Sequence, residues 1–315
     1  LQSLAAESER KTAPKLPDWA DGWRVSGVIR MGGKTEAIPL AEAVDWIGAR
    51  TEHLAVAGQA VVPAASAAAA SAVGRSGTGA AWENSLGMKF VPVPGTKALF
   101  CVWETRNRDF RAFKADHDSG RFENHSLNGA EQPVVNVSWD DAKTFCEWLT
   151  RTERQKGLIG PAQSYRLPME WEWNVAVGLD EAKGGTSKDK GENIAADYPW
   201  GREWPPPKGA GNYSGSESAW SSAIMRCYRD NHAVTAPAGA YEPNRLGLFD
   251  LGGNVWEWCE DWYDSSQQFR VLRGGSWGST GPGNSLLSSS RGRGRPGERG
   301  SFGGFRVILS PSSPW

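Results

Sequence analysis

The sequence is poor in the residues that carry redox and metal chemistry. Its 315 residues include four cysteines, Cys101, Cys146, Cys227 and Cys259, with no CxxC spacing. That excludes a zinc knuckle and a disulfide-dense scaffold. Cys146 and Cys259 are expected as buried free thiols, with a long-range pair left open. Histidine is as scarce: His53, His117, His125 and His232 form no HxxxH pair. With no acidic residue at a recognisable spacing, a non-haem iron triad is excluded. No apolar run reaches the length of a membrane span. The net charge is only −1, so no global field draws the chain to nucleic acid or to an anionic membrane. Glu260 and Asp261 are adjacent, and adjacent carboxylates do not face each other across a substrate; neither they nor a serine elbow is expected to form a hydrolase. The chain begins Leu1-Gln2, which we read as a trimmed start or a fragment, leaving the compartment open.

What is abundant is glycine, proline and tryptophan: 38, 19 and 17 residues. The densest stretch runs from Asp250 to Trp262 as DLGGNVWEWCEDW, followed by RVLRGGSW at 270–277. Gly252, Gly253, Gly274 and Gly275 break it, since glycine permits backbone conformations other residues resist. Trp256, Trp258, Trp262 and Trp277 need burial and partners for their indole N–H groups. An irregular core held by packing and hydrogen bonds is expected.

Along the chain, residues 23–30 alternate as a strand, and 39–54 read as a helix with Pro39 in its first turn. Residues 57–83 are Ala/Gly/Ser-rich and read as a linker. Strands are expected around Met88–Val93 and Phe100–Trp103, then a helix capped by Thr105 with Phe110 and Phe113 inward. Ser138 followed by Asp141 signals a capping box. Ala142, Phe145, Cys146 and Leu149 then share one helical face, with Glu147 and Arg151 in solvent. Pro168 opens a further helix, where Trp171 and Val175 share a face. Strands are expected at Arg270–Leu272 and Phe305–Leu309. The stretch 177–243 has little periodicity, which in a compact domain points to function or to support other than packing.

Six motifs in order resemble the formylglycine-generating-enzyme/sulfatase-modifying-factor domain: NSLGMKFVPVPG at 84–95, PVVNVSWDDAKTFCEWL at 133–149, YRLPMEWEWNVA at 165–176, YPWG at 198–201, NRLGLFDLGGNVWEW at 244–258, and RVLRGGSW with the closing GGFRVIL at 303–309. The resemblance implies an α+β, C-type lectin-like fold with much irregular structure over 84–315, leaving 1–56 as an N-terminal extension or small accessory element. It also implies structural calcium. One site would be Asp250, Gly253, Val255 and Glu257; a second would be Asn212, Tyr213, Asp230 and His232. The family's catalytic members bind copper(I) through two cysteines, whose positions fall near Ser279 and Asn284 here. No cysteine follows Cys259, so the expectation is a protein that is not an enzyme.

The segment 278–304 is dominated by glycine, serine and arginine between two framework motifs. It is similar to the diversified region of variable proteins from diversity-generating retroelements. The resemblance implies a noncatalytic protein displaying a ligand-binding surface at Trp277, Gly278, Ser279, Thr280, Gly283, Asn284, Ser290, Gly292, Gly294, Gly300, Ser301, Phe302 and Gly303. Leu286, Leu287, Arg291, Arg295 and Arg299 would be framework. The expected partner is a protein or cell-surface ligand, with no nucleic acid. The alternative is a fixed accessory or substrate-binding domain of the sulfatase-modifying-factor family, or an enzyme of that family with altered chemistry.

Overall fold

The structure, a computed structural model, describes residues 82–181, 184–191, 197–220, 224–281 and 284–311, and the backbone of 26–31 and 34–39; of residues 191 and 284 only the backbone is described. Two compact units divide between Ser76 and Gly77. In the first, strands β1 (Ser26–Met31) and β2 (Lys34–Pro39) form an antiparallel hairpin from Ser26 opposite Pro39 to Met31 opposite Lys34. The strand expected at 23–30 is therefore found one to three residues later. Pro39 is the last residue of β2 and so lies in a strand; a terminal strand position is one that proline's missing N–H permits. The rest of the expected 39–54 helix and most of the 57–83 linker lie outside the described residues.

The second unit opens with β3 (Trp82–Glu83), β4 (Lys89–Pro92) and β5 (Leu99–Cys101). Helix α1 (Asn107–Arg111) follows, then a small hairpin of β6 (Arg121–Phe122) and β7 (His125–Ser126). Arg106, not Thr105, is the N-cap of α1. The Asp109 carboxylate accepts the Arg106 backbone N–H at 3.0 Å and its Nε–H at 2.8 Å. A side-chain ion pair three residues apart thus moves the helix start by one position.

Helix α2 (Trp139–Gln155) begins where the capping box places it. Asp141 N–H donates to Ser138 Oγ at 3.1 Å, and Ser138 N–H donates to Asp141 Oδ2 at 2.9 Å. Ala142, Phe145, Cys146 and Leu149 are buried, while Glu147 and Arg151 are exposed. Strand β8 (Ser164–Arg166) and helix α3 (Glu170–Val177) come next. In α3 the fully buried tryptophan is Trp173; Trp171 and Val175 are half-buried. The aperiodic stretch that follows contributes the short helix α4 (Ser187–Gly191). The chain then forms β9 (Trp256–Trp262), β10 (Arg270–Arg273), β11 (Gly292–Gly294), β12 (Gly303–Gly304) and β13 (Ile308–Ser310). Of the strand expected at 305–309, only its end is strand.

A five-stranded antiparallel sheet has the order β3-β4-β5-β13-β8, and a four-stranded sheet has the order β11-β10-β9-β12 with β12 parallel to β9. The larger core cluster joins Phe90, Phe110, Phe145, Trp258 and Phe305 between α2 and the sheets. A second joins Phe100, Trp173, Leu251, Val271 and Ile308. The whole is a mixed α+β fold in which short strands are tied by long turns.

Candidate functional site

The turn Asp250–Val255 is the hub. It has residues in the left-handed region at Asp250 (φ 55°), Gly253 (φ 84°) and Asn254 (φ 53°). Two glycines there are required by close approach. A Cβ at Gly252 would lie 2.4 Å from Pro199 Cγ, and one at Gly253 would lie 2.3 Å from the Asn212 carbonyl oxygen. Asn254 is fully buried and bonded in every direction. Its Nδ2 donates to Glu104 Oε2 at 2.6 Å, and its Oδ1 accepts from Ala236 N–H at 2.9 Å and Asn212 Nδ2 at 3.0 Å. Its carbonyl accepts the Trp277 N–H at 2.8 Å, which fixes the start of the 278–303 segment. Burial, reinforced by the charges of Asp250 and Glu257, pushes the Glu104 carboxyl well above its ordinary range.

The calcium expectation fails here. Among the described residues no group of three or more His, Cys, Asp or Glu is arranged to hold a metal ion. Glu257 is committed to a guanidinium: Arg306 Nη2 donates to Oε1 at 2.7 Å, and Trp173 Nε1 donates to Oε2 at 3.0 Å. Asp250 Oδ2 accepts the Gly239 N–H at 2.6 Å. Gly253 and Val255 flank Asn254 in the turn and meet no assembled carboxylate set. In the second set Asn212 Oδ1 is the one carboxylate or amide oxygen left without a partner. Asn212 points its amide Nδ2 at Val234 O, 2.9 Å away. The two oxygens of Asp230 accept the backbone N–H groups of Tyr213 (2.8 Å) and His232 (2.9 Å). A hard cation needs six to eight oxygens free of such commitments. An arginine 49 residues from Glu257 supplies the positive charge instead.

Serine and asparagine stand at positions 279 and 284, near which the resemblance implied a cysteine pair, and no cysteine follows Cys259. All four cysteines are unpaired. Cys101, Cys146 and Cys259 are buried, and Cys227 is exposed. Burial drives the Cys101 thiol up to about 12 and raises the other two buried thiols as well, so none of these three is a ready thiolate. The histidines do not converge. His117 Nε2 lies 3.2 Å from Ser119 Oγ, with its pKa lowered by burial; His232 Nδ1 lies 3.0 Å from Tyr241 Oη; His125 is exposed on β7. His53 lies outside the described residues. Gly274–Gly278 does spell G-x-S-x-G, contrary to the expectation of no serine elbow. Turns follow it rather than a helix, and Ser276 Oγ accepts the Gly278 N–H at 3.3 Å. It is a tight turn, without the strand-to-helix setting of a nucleophile elbow.

The expected ligand-binding positions divide into two groups. Ser279 and Ser290 are buried: Ser279 Oγ accepts the Ser276 N–H at 3.0 Å, and the Ser290 carbonyl accepts from Arg273. Gly294 is pressed on Trp258, Gly292 on Leu272, and Gly278 on Phe302, where added Cβ atoms would lie at 2.4, 3.1 and 2.5 Å. Thr280, Ser301, Phe302 and Gly303 are half-buried and Gly300 is exposed; nothing lies within 4 Å of a Cβ at Gly300 or Gly303. Gly283 and the Asn284 side chain lie outside the described residues. Arg291 is buried against Glu170 and Glu181, Arg299 pairs with Asp141 at 2.6 Å, and Arg295 N–H donates to Glu298 Oε2.

Trp277 is buried and anchors an aromatic patch. Its ring stacks on Phe302 (4.5 Å, 26°) and meets the edge of Phe122 (4.9 Å, 74°); Trp220 meets Phe302 edge-on (5.2 Å, 81°). Phe122, Trp220 and Phe302 are all half-buried. Trp277 Nε1 donates to Ser301 O at 3.0 Å, and Trp256 N–H donates to Phe302 O at 2.8 Å. The tip of the segment is therefore tied to the hub at both ends. Phe122 and Trp220, distant in sequence, were not among the expected positions; their isolated aromatic letters in polar surroundings were the only trace.

Residues 69–311 match the family described as the sulfatase-modifying factor enzyme 1-like domain. The chain belongs to that family. Within it, the chain is 33% identical over 135 residues to a formylglycine-generating enzyme of Thermomonospora curvata, covering 42% of this chain and 34% of that one. It is 35% identical over 157 residues to the inactive C-alpha-formylglycine-generating enzyme 2 of Bos taurus, covering 49% of this chain and 41% of that one. The chain thus spans well under half the length of these relatives. Treponema denticola variable protein 1 shares the fold, with a TM-score of 0.50 at 19% identity over 74% of this chain and 99% of that one. No described helix is long and apolar enough to cross a membrane.

Proposed function

We propose that this sulfatase-modifying-factor domain is a fixed, noncatalytic binding module that holds a polypeptide through the patch of Phe122, Trp220 and Phe302. The patch is the carrying observation: three half-buried aromatic rings are braced on the buried Trp277. Aromatic anchors of this kind dominate binding energetics. The binding domain is assigned to 84–315 and is read as lectin-like, with 1–56 as an accessory element and 57–83 as the linker. The inactive relative gives a precedent for a family member without the activity.

The test uses a labelled cysteine-containing peptide of the sulfatase type, with and without copper(I). Binding without aldehyde formation is expected. Replacing Trp220 and Phe302 together by alanine should weaken binding by about a thousandfold, two hot-spot truncations of about 2 kcal/mol each. Aldehyde formation would overturn the noncatalytic reading, and undiminished binding by the double variant would overturn the patch.

A second reading, diversified display, is favoured by the open space around Gly300 and Gly303 and the half-exposed Thr280, Ser301 and Phe302. Under it, those positions vary while Ser279, Ser290, Gly292 and Gly294 hold the scaffold. A nearby near-copy of the encoding DNA, differing at adenines beside a reverse transcriptase gene, decides for it. Failure of the sulfatase-type peptide to bind would also move the balance towards it.

A further inference from the structure

A cavity of about 290 Å³ opens beside the hub, and none of its lining residues belongs to the aromatic patch. Val177, Pro199, Leu248 and Leu251 give it an apolar lining. Its polar side chains are of two kinds. Four are engaged elsewhere or closed off. Trp200 Nε1 donates to Glu203 O at 2.9 Å, and Tyr241 Oη lies 3.0 Å from His232 Nδ1. Asn244 Nδ2 donates to Ala176 O at 2.8 Å, while its Oδ1 accepts the Leu246 and Leu248 N–H groups. Asp250 Oδ2 accepts the Gly239 N–H, and Asp250 Oδ1 is shut away from solvent, so this carboxylate does not serve the cavity. The other two are Lys208 and Glu242. Both are exposed, and among the described residues neither forms an ion pair or a side-chain hydrogen bond.

That division selects the chemistry of a guest. A polar group carried inside would give up its water and meet no side chain with a bond to spare, which costs free energy. The inserted part is therefore apolar, and an aromatic ring would also meet the rings of Trp200 and Tyr241. At the exposed rim one cation and one anion balance, so a singly charged ligand meets repulsion as well as attraction. A dipolar head group can use both. The volume of about 290 Å³ lies at the lower limit of small-molecule sites, which begin near about 300 Å³. It is enough for one ring and its stem. An α-amino acid with an aromatic side chain has this division: an ammonium and a carboxylate on one carbon, and a ring without charge.

We propose that this cavity binds a free aromatic α-amino acid, with the ring inside, the carboxylate at Lys208 and the ammonium at Glu242. The proposal does not depend on the aromatic patch, since its residues are separate.

The test follows the backbone amide NMR signals of Gly209 and Gly252, which both line the cavity, in the full chain titrated with L-phenylalanine. A saturable shift of both is expected. Glycine, with the same head group and no ring, should bind at least about tenfold more weakly. 3-Phenylpropionate lacks the ammonium and phenethylamine lacks the carboxylate. Each should bind about fivefold more weakly than phenylalanine, the upper end for an exposed charge pair. Glu242→Gln should weaken phenylalanine by about the same factor without weakening 3-phenylpropionate, and Lys208→Gln should do so without weakening phenethylamine. Both side chains are exposed, so neither substitution is expected to disturb folding. No saturable shift with phenylalanine up to about 50 mM would overturn the site. Binding of either one-charge analogue as tightly as phenylalanine would overturn the dipolar rim. Equal binding of N-acetyl-phenylalanine amide, which carries the ring and neither charge, would overturn the free amino acid and give the cavity to a residue within a polypeptide.

Discussion

The hub at Asp250–Val255 and the segment at 278–303 are both glycine-rich, and the structure uses glycine in opposite ways in them. At Gly252 and Gly253 other atoms occupy the space where a side chain would go, within 2.4 and 2.3 Å of the missing Cβ. At Gly297, Gly300 and Gly303 nothing lies within 4 Å. The first kind of glycine lets backbones meet; the second leaves a surface bare. The boundary does not follow the sequence segments, because Gly278 and Gly294 inside the second stretch are crowded by Phe302 and Trp258. Composition alone therefore cannot say which positions are free to vary.

The largest way to break the contrast is through the buried pair below the hub. Arg306 and Glu257 both have no solvent exposure. Arg306→Ala should lower unfolding free energy by about 3–5 kcal/mol, because it strands a buried carboxylate. Chemical denaturation checks this; a loss below 1 kcal/mol would mean that the pair is not structural. Next comes Gly253→Ala, which forces a Cβ against the Asn212 carbonyl at φ 84°. A loss of roughly 3 kcal/mol is expected, at the upper end of overpacking costs.

A pH comparison separates the hub from the surface in another way. Burial raises the Asp250 carboxyl to about 6, against the opposing Gly239 N–H and Arg306 and with the help of Glu257. Burial likewise raises Asp261 to about 6 and Asp230 to about 7. Their folded values exceed the unfolded ones, so between about pH 4 and 7 the folded state binds more protons. These groups therefore contribute stability at acid pH that is lost as pH rises through 6 to 7. Asp250→Asn should raise the melting temperature at pH 7.5 by several degrees, the response to about 1 kcal/mol in a domain of this size, and should flatten the acid side of the profile. An unchanged profile would show that Asp250 titrates normally. The smallest effect belongs to the open positions. Gly300→Ala should change stability by no more than about 0.5 kcal/mol. A larger loss would remove Gly300 from the tolerant surface.

How much of this was legible in the sequence depends on how far each cause reaches. The α2 start was readable because Ser138 and Asp141 satisfy each other within one turn. The helical face of Phe145, Cys146 and Leu149 follows from the same local rule. The start of α1 was missed by one residue, because the Arg106–Asp109 ion pair competes with an ordinary hydroxyl cap. Pro39 was misplaced because a proline can close a strand as well as open a helix. The calcium ligands were misread for a long-range reason: Glu257 meets its partner only when β9 and the chain before β13 come together. Phe122 and Trp220 reach Trp277 and Phe302 from more than 50 residues away, a meeting that no local pattern records. The crowded glycines of 278–303 likewise depend on Trp258 and Leu272 from other strands.

The guanidinium of Arg306 has one more consequence. A dissolved ion occupies its site only as far as the surroundings supply it, and it leaves when they run short. A counter-charge carried on the chain has no such exchange with the medium. Its occupancy is set at synthesis, once per molecule, so a chelator added to this domain should leave its melting temperature where it was. The counter-charge at the hub of the fold is thus provisioned from within, by the chain's own Arg306.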